Sequence, residues 1–410
     1  MKKKNLLPLL ALALFSCKNE DDVTENLFEP QSNEEAVNFS VDALYSTNHR
    51  ISPDDAKNNA LKFVEMMSKS KLKSVGRSVS DVKVLTRSGA LKSGKQDTVA
   101  YIVNFSNSGS AICSADDRVP SSVIALFDND FPGLDDENFN FVYGKVQSYI
   151  DYSIEDFEVN KGKYRSMMGN LSESDAKQLK ATDGIDYEIV DPLIATRWNQ
   201  ETPFNDAMPK CTSPGCNNKA LTGCGAVAMG QILNYYKKPN RVNGVSINWN
   251  SIESGGYKTL LKNIGEKINI ENHCINHGGT PSSEETWIPF CEQINYSIDY
   301  KGYNKDVISE CLENGNPLLV WGLGDNLPQY GHAWIIDGYC KCRLFKVRKK
   351  YYNVYLVHCN WGWGGDCDGW FQFDVLNPKN GASYDVSNLG TNDFTFNNGW
   401  LSTFIFKPNN

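Results

Sequence analysis

A cysteine opens the most regular helix pattern in the chain. Cys224 follows Gly223, and the residues after it continue without a break as far as Tyr236. A helix N-terminus carries partial positive charge, so a thiol there has a lowered pKa and a more nucleophilic thiolate. Cys224 is therefore a candidate nucleophile, with a buried or disulfide-bonded cysteine as the alternative. The apolar side chains that recur at helical spacing, and so predict an inward-packing face, are Met229, Ile232, Leu233 and Tyr236.

A thiolate that attacks an acyl carbon needs a base, which is usually a histidine distant in sequence but close in space. The chain has five histidines. His332 differs from the others because it follows Gly331 and begins the hydrophobic segment Ala333 to Ile336. That pattern places an imidazole at the start of a strand, where it would be held at the rim of a cleft. A structural strand-edge histidine is the alternative.

Two side-chain amides complete the candidate site. Asn360 precedes Trp361 and Trp363, and an Asn carbonyl that accepts from an imidazole fixes its tautomer while indoles shield the bond from water. Gln200 can donate to the oxyanion of a tetrahedral intermediate together with the Cys224 backbone N–H. The alternatives are an aromatic-rich core turn around Asn360 and a solvent-facing side chain at Gln200.

The linear order of these residues, Gln then Cys then His then Asn, is that of papain-like peptidases, and the local sequences resemble the streptopain family of cysteine peptidases. Two segments of the N-terminal half, Tyr101 to Phe105 and Ser114 to Pro120, resemble that family's propeptide. The segments that carry the resemblance in the C-terminal half are Trp198-x-Gln200-x-x-Pro203-Phe204-Asn205, Thr222-Gly223-Cys224-x-Ala226-x-Ala228-x-x-Gln231-Ile232, Gly331-His332-Ala333, Asn360-Trp361-Gly362-Trp363-Gly364-Gly365 and Asp368-Gly369.

The resemblance implies an α+β fold, in which a small N-terminal propeptide domain precedes a papain-like domain with a central helix packed on an antiparallel sheet. It implies a zymogen that, once matured, cleaves peptide bonds near hydrophobic residues. The roles it implies are Cys224 as nucleophile, His332 as general base and acid, Gln200 as oxyanion donor and Asn360 as the group that orients His332, with Trp361, Trp363, Gly223 and Gly331 in support. The segments Lys210 to Cys216 and Cys340 to Lys350 are departures from the family pattern.

The chain divides by pattern into five parts. Helical spacing after Pro53 predicts a helix through Met67, four strand-like runs between Val82 and Phe127 predict a small antiparallel sheet, and a second helix is expected from about Asp136 to Glu158. The predicted parts are a signal peptide over residues 1–17, a polar tether over 18–36, an inhibitory propeptide domain over 37–158, a linker with the maturation site over 159–186, and the peptidase domain over 187–410.

The N-terminus has the form of an export signal. Three lysines precede an apolar stretch from Leu6 to Phe15, which is shorter than the roughly 20 residues that span a bilayer. Residues Leu14 to Cys17 resemble a bacterial lipobox, and the acidic residues that follow resemble surface-export signals of some Gram-negative lipoproteins. We therefore expect lipidation at Cys17 and a location in the outer membrane or at the cell surface, with release after maturation as a further option. A plain secretory signal is the alternative.

The chain has twelve cysteines, which an exported protein can use for disulfides. Cys113 is expected to be a buried core residue, whereas the close pairs Cys211/Cys216 and Cys359/Cys367 are candidate local bridges. A zinc site built from Cys340, Cys342 and His358 is a rival interpretation, which the absence of a second well-spaced cysteine pair disfavours.

Composition limits the partners. The formal net charge is −8 and no long basic stripe is present, which argues against nucleic acid as a partner. No motif calls for a metal or an organic cofactor, and the expected partners are protein or peptide substrates, the chain's own propeptide and, through the lipid, a membrane. Two other functions use the same features: a Cys/His amidase of cell-wall peptides, and a non-enzymatic inhibitor or binding protein.

Overall fold

The computed structural model describes residues 34–36, 39–68, 78–87, 97–169, 187–212, 218–268, 282, 284–323, 331–347, 350–376 and 401–409. These residues belong to one compact unit. None of its helices is long and apolar enough to cross a bilayer, as far as the described residues go.

The N-terminal half contains a four-stranded antiparallel meander and two helices, as predicted. The first helix ends one residue beyond the predicted Met67. The elements are β1 (Glu34–Ala36), α1 (Pro53–Ser68), β2 (Val79–Thr86), β3 (Thr98–Phe105), β4 (Ser110–Ser114), β5 (Val123–Phe127) and α2 (Glu137–Met168).

The predicted end of the second helix at Glu158 is wrong, because α2 continues to Met168. The polar sequence after Glu158 hides two side chains that are buried, Tyr164 and Met168. Tyr164 stacks on Phe39 with the ring centroids 4.4 Å apart. This contact lies far away in sequence, so local polarity alone does not reveal that the helix has a reason to continue.

The C-terminal half contains one central helix, further helices and a long antiparallel sheet, which confirms the predicted α+β class. The central helix begins at Cys224 as expected. The elements are β6 (Tyr187–Val190), α3 (Cys224–Tyr236), β7 (Arg241–Val242), β8 (Val245–Ser246), α4 (Tyr257–Ile268), α5 (Glu284–Gln293), β9 (Tyr296–Tyr300), α6 (Lys305–Glu313), β10 (Leu318–Leu323), β11 (Gly331–Val347), β12 (Lys350–Asn360), β13 (Gly369–Gln372) and β14 (Leu401–Pro408).

The meander and the C-terminal sheet form one continuous sheet. Within the described residues its order is β2-β3-β4-β5-β13-β12-β11-β10-β14-β9, and β1 and β6 pair with β12 and β11. The two halves meet where β5 pairs with β13, with Gly369 opposite Phe127. A Cβ at position 369 would lie 2.2 Å from the Leu126 carbonyl oxygen, so this junction requires glycine.

One buried core continues through the junction and reaches the candidate site. Phe127 and Phe139 of the N-terminal half pack in the same cluster as Phe371 and Trp361 of the C-terminal half. The rings of Phe127 and Phe371 are 5.9 Å apart. The N-terminal half is therefore attached to the C-terminal half by backbone pairing and by a shared apolar core.

Candidate active site

Cys224 is the first residue of α3, and Gly223 is the N-cap. Gly223 has φ +88° and offers no side-chain cap to the first backbone N–H groups of the helix. Burial raises the pKa of the Cys224 thiol, whereas hydrogen bonds from the backbone of Ala333 and Gly225 lower it. The contact with Ala333 brings the start of α3 against β11 at the residue that follows His332.

His332 lies on β11 and is buried. Its Nε2 is 2.9 Å from the backbone carbonyl oxygen of Trp361. A carbonyl oxygen only accepts, so Nε2 carries the proton and Nδ1 of the neutral ring is left to accept one. Burial lowers the pKa of His332 to about 4, against the opposing effect of the Trp361 carbonyl. The imidazole is therefore neutral at pH 7.

Three indoles surround the imidazole of His332. Its ring stacks on Trp363 at 4.7 Å and on Trp334 at 6.0 Å between centroids, and Trp361 lies 6.2 Å away in the same orientation. Gly331 allows β11 to pass close to its neighbour, since a Cβ there would lie 2.8 Å from the Trp321 ring. The strand and the tryptophans thus hold the ring in one orientation.

Asn360 is buried, but its side chain makes no hydrogen bond to the His332 ring in this structure. Its Nδ2 donates to the Thr196 carbonyl at 2.8 Å, and its Oδ1 accepts from Gln231 Nε2 at 3.0 Å and from the Gly362 N–H at 3.2 Å. The group that accepts from the imidazole is the backbone carbonyl of the next residue, Trp361. Asn360 is therefore not the direct acceptor in this structure, and its role in orienting His332 remains a prediction.

Sequence reasoning missed the structural role that Gln231 has in the site. It lies two turns after Cys224 on α3 and is fully buried. Its Nε2 donates to Asn360, and its Oε1 accepts from the Trp198 N–H at 3.1 Å and from the Thr196 hydroxyl at 2.9 Å. A polar residue inside an otherwise buried helix was the available signal. Gln231 connects the helix, the Asn360 turn and the segment that leads to Gln200.

The segment around Gln200 is hydrogen-bonded to the loop that precedes Cys224 and to the loop that follows Trp363. The Gln200 backbone carbonyl accepts from the Thr222 N–H at 3.1 Å, two residues before Cys224, and the Trp198 carbonyl accepts from the Gly364 N–H at 3.0 Å. Gln200 is half-buried. The structure therefore brings the predicted oxyanion donor and the predicted nucleophile to the same turn.

A carboxylate supports the peptide that holds His332. Asp368 is buried and its Oδ1 accepts from the Trp361 N–H at 2.8 Å. The carbonyl of the same tryptophan accepts from His332. Burial raises the pKa of Asp368 to about 7, and the N–H of Trp361 acts in the opposite direction. Asp368 therefore orients the Trp361 backbone, and through it the imidazole.

An aromatic side chain from the N-terminal half lies against this group of rings. Phe141 projects from α2 and is edge-on to His332 at 6.3 Å, to Trp361 at 5.9 Å and to Trp363 at 5.8 Å between centroids. The ammonium of Lys145, one turn further along, lies 5.6 Å from the Phe141 ring centroid. Helix α2 thus contributes to the burial of the imidazole.

If the chain is a zymogen, as the sequence predicts, we expect Phe141→Ala to speed its conversion to the shorter, mature peptidase by about tenfold. Removing the ring deletes three aromatic contacts, each typically worth about 0.5–1.5 kcal/mol, from the surface that α2 shares with the site. Conversion is followed by gel densitometry at fixed concentration. Phe131→Ala is the matched control, because Phe131 packs on Phe139 at 4.6 Å without contacting His332. Equal rates for both variants would show that Phe141 does not restrain conversion.

Polar contacts also join the halves beside the site. His358 lies between Asp337, whose Oδ1 is 2.6 Å from Nδ1, and Asp128 of the N-terminal half, whose Oδ2 is 3.3 Å from Nε2. Burial lowers the pKa of His358, but the two carboxylates outweigh it and raise the pKa to about 10, so the ring is a cation at pH 7. A cavity of about 330 Å³ adjoins this pair and is lined in part by Asp368 and Arg197.

The cysteines are mostly free thiols where the structure describes them. Cys359 and Cys367, a candidate bridge in the sequence, are both buried and unpaired, so that disulfide is not formed. Cys113 is buried in the core as expected. Cys211 is disulfide-bonded, and its partner lies outside the described residues, as do Cys216 and the predicted lipidation site Cys17. His358 is engaged by carboxylates and not by Cys340 and Cys342, which removes it from the zinc alternative.

Comparison with known proteins gives concordant results. Residues 198–286 and 258–371 match the Peptidase C10 family. Streptopain from Streptococcus pyogenes is 24% identical over 79% of this chain and 85% of its own length. The thiol protease/hemagglutinin PrtT from Porphyromonas gingivalis is 25% identical over 46% of this chain and 24% of its own. A structure of a Prevotella intermedia prointerpain A fragment superposes with a TM-score of 0.52 at 18% identity, covering 80% of this chain and 98% of the fragment.

The fold and the site, taken with these relatives, define a cysteine endopeptidase with the fold of a zymogen. The matched segments include the residues around Trp198, Cys224, His332 and Asn360, and the fold likeness extends through the N-terminal half. Residues 198–371 match the model of the Peptidase C10 family, and the chain as a whole is similar to streptopain, a cysteine peptidase. These similarities favour a cysteine endopeptidase over a cell-wall amidase and over a non-enzymatic inhibitor.

Proposed function

We propose that the chain is the zymogen of an exported cysteine endopeptidase in which Cys224 is the nucleophile and His332 the general base and acid. The proposal rests mainly on the contact between the start of α3, at Cys224, and β11, at Ala333. The thiol at the helix N-terminus accepts from the backbone of Ala333, and Ala333 follows a histidine whose Nε2 proton is already held by the Trp361 carbonyl. That tautomer leaves Nδ1 to take the thiol proton.

In the proposed mechanism Nδ1 of His332 removes the Cys224 proton, and the thiolate attacks the carbonyl carbon of a peptide. The resulting oxyanion accepts from the backbone N–H of Cys224 and from the side chain of Gln200. The imidazolium then gives its proton to the leaving amine, which departs and leaves a thioester. Water, deprotonated by the same imidazole, hydrolyses the thioester and restores the thiol.

The state described here is latent in this account. Burial raises the pKa of the Cys224 thiol and lowers that of the His332 imidazole, and both effects oppose a thiolate and imidazolium pair. Phe141 of the N-terminal half lies against the His332 ring. Removal of residues up to a point in the predicted linker 159–186 would expose the imidazole to solvent. Since α2 runs to Met168, we place the maturation site after that residue.

The oxyanion role of Gln200 has a defined test. We expect Gln200→Ala to lower kcat of the mature enzyme by about 10²–10³, the usual effect of losing one oxyanion donor, with little change in KM. Gln293→Ala is the matched control, since Gln293 is an exposed glutamine at the end of α5. Steady-state kinetics on a fluorogenic peptide measure both. A Gln200→Ala enzyme within threefold of the parent would remove Gln200 from the mechanism.

Export and lipidation at Cys17 rest on the N-terminal sequence, with its lysines, short apolar stretch and lipobox-like Leu14 to Cys17. In a bacterial host that processes lipoproteins, the full chain should incorporate labelled palmitate and sediment with the outer membrane. Cys17→Ser should lose both properties, whereas Cys113→Ser should keep them. If the Cys17→Ser protein still incorporated palmitate, the lipid would be attached at another residue, and lipidation at Cys17 would be ruled out.

A further inference from the structure

Three sulfur atoms meet at the contact between the two halves, away from Cys224. Cys340 and Cys342 are two residues apart on β11, so their side chains lie on the same face of the strand, and their Sγ atoms are 3.1 Å apart. The Sδ atom of Met67, near the end of α1, is 3.9 Å from the Cys340 Sγ. The exposed fractions of Met67, Cys340 and Cys342 are 3%, 0% and 1%.

The surroundings of these sulfurs are apolar. They lie in a buried cluster with Val64 of α1, Leu356 of β12 and Trp370 of β13. Both cysteines are free thiols. The pKa of Cys340 is raised, first by its hydrogen bond with Cys342 and then by burial. Two thiols and a thioether therefore converge in a dry site to which the N-terminal half and the C-terminal half both contribute.

We propose that Met67, Cys340 and Cys342 form a binding site for one Cu(I) ion. Thiolate and thioether sulfurs are soft ligands that select Cu(I) over the harder divalent ions. A metal–thiolate bond is roughly 2.3 Å, and twice that length exceeds both measured separations. After small side-chain rotations, one ion can therefore lie within bonding distance of Cys340 and Cys342, and also of Cys340 and Met67. The thioether distinguishes this group from a simple dithiol, since methionine adds nothing to a disulfide.

The ion would connect the two halves of the zymogen. Met67 belongs to α1, which maturation after Met168 would remove, whereas both cysteines remain with the peptidase domain. Only the full-length chain offers all three sulfurs, so Cu(I) would bind the zymogen more tightly than the mature form. Because the ligand is the thiolate, binding releases thiol protons, and affinity should fall as the pH is lowered. This consequence rests on the proposed maturation, but the site itself does not.

The test uses the reduced full-length chain with Cys224→Ala, which removes the partly buried candidate nucleophile as a competing ligand. Cu(I) is titrated under anaerobic conditions against a chromophoric Cu(I) chelator until equilibrium. We expect one equivalent to bind and the melting temperature to rise, as for any ligand of the native state. A second change, Cys342→Ala, should weaken binding at least about 100-fold, and Met67→Leu roughly tenfold, since even partners of metal ligands typically contribute 10–100-fold.

Cys291→Ser is the matched control, because Cys291 is another buried free thiol on α5; it should bind Cu(I) like its parent. Cys340→Ala provides a second deletion, and a circular dichroism spectrum equal to the parent's establishes that each variant is folded. Failure of the parent to compete for Cu(I), or equal affinity in the parent and in both cysteine variants, would overturn the proposal. So would a Cys340–Cys342 disulfide that forms in air while no copper is retained under reduction, since the pair would then be a redox pair. None of these outcomes depends on peptidase activity.

Discussion

His332→Ala should lower kcat of the mature peptidase by about 10⁶-fold, comparable with the loss of the histidine of a catalytic triad. Without the imidazole no group on β11 takes the Cys224 proton or returns a proton to the leaving amine. The ring is held by the Trp361 carbonyl and by three indoles, so no neighbouring side chain is positioned to replace it. The measurement is steady-state hydrolysis of a fluorogenic peptide after maturation in trans by wild-type enzyme.

The matched control for this variant is His49→Ala. His49 is bound to Asp117 within the N-terminal half at 2.7 Å and is absent from the mature product in our account, so the mature enzyme should have wild-type kcat. A His332→Ala enzyme that keeps more than a tenth of the parent activity would contradict the assignment of the base. Its pH profile adds a second readout, since the acidic limb set by the imidazole should disappear.

Cys224→Ala should abolish turnover, with a drop in kcat of about 10⁶-fold, as nucleophile deletion gives in other covalent proteases. The full-length variant should remain intact on prolonged incubation, because self-conversion needs the same thiol. Added wild-type enzyme should still trim it, which shows that the linker is a substrate. Intact-mass spectrometry and peptide hydrolysis measure the two effects.

Cys311→Ala is the control for loss of a thiol, because Cys311 is a buried free cysteine on α6 without a role in the site. It should mature and turn over like the parent. Self-conversion of Cys224→Ala, or residual activity above that of a denatured sample, would exclude Cys224 as the nucleophile.

The parts of this site that sequence predicts are those determined by local pattern. The apolar stripe from Met229 to Tyr236 predicts α3, and a glycine followed by hydrophobic residues predicts the strand that carries His332. The order of the motifs along the chain is a one-dimensional property, and the family resemblance depends on it. For these reasons the helix start at Cys224 and the α+β class are confirmed.

The parts that sequence does not predict depend on contacts between distant residues. The partner of the imidazole is a backbone carbonyl, that of Trp361, and a backbone group has no signature in residue type. The extension of α2 to Met168 depends on Tyr164 packing against Phe39, more than a hundred residues earlier. The joining of the two sheets at β5 and β13 depends on close backbone approach at Gly369. The sequence has 32 glycines and does not show which of them allows such an approach.

The ion pairs that join the two halves could not be predicted from the sequence either. From the sequence alone, His358 is only a candidate metal ligand. Its two carboxylate partners, Asp337 and Asp128, lie 21 and 230 residues away, and one of them belongs to the N-terminal half. Sequence proximity to Cys340 and Cys342 was therefore misleading, because the strand register places the imidazole beside Asp337.

The most direct test of the zymogen account is to incubate the purified chain from residue 18 onward under mild reduction with a peptidyl epoxide that traps thiolates. Samples are taken before and after self-conversion, with Cys224→Ala in parallel. The account predicts that the intact chain resists the label, and that a fragment beginning between residues 169 and 187 appears only in wild type and is labelled at Cys224. Equal labelling of the intact chain and the fragment, or a label on any other cysteine, would contradict it.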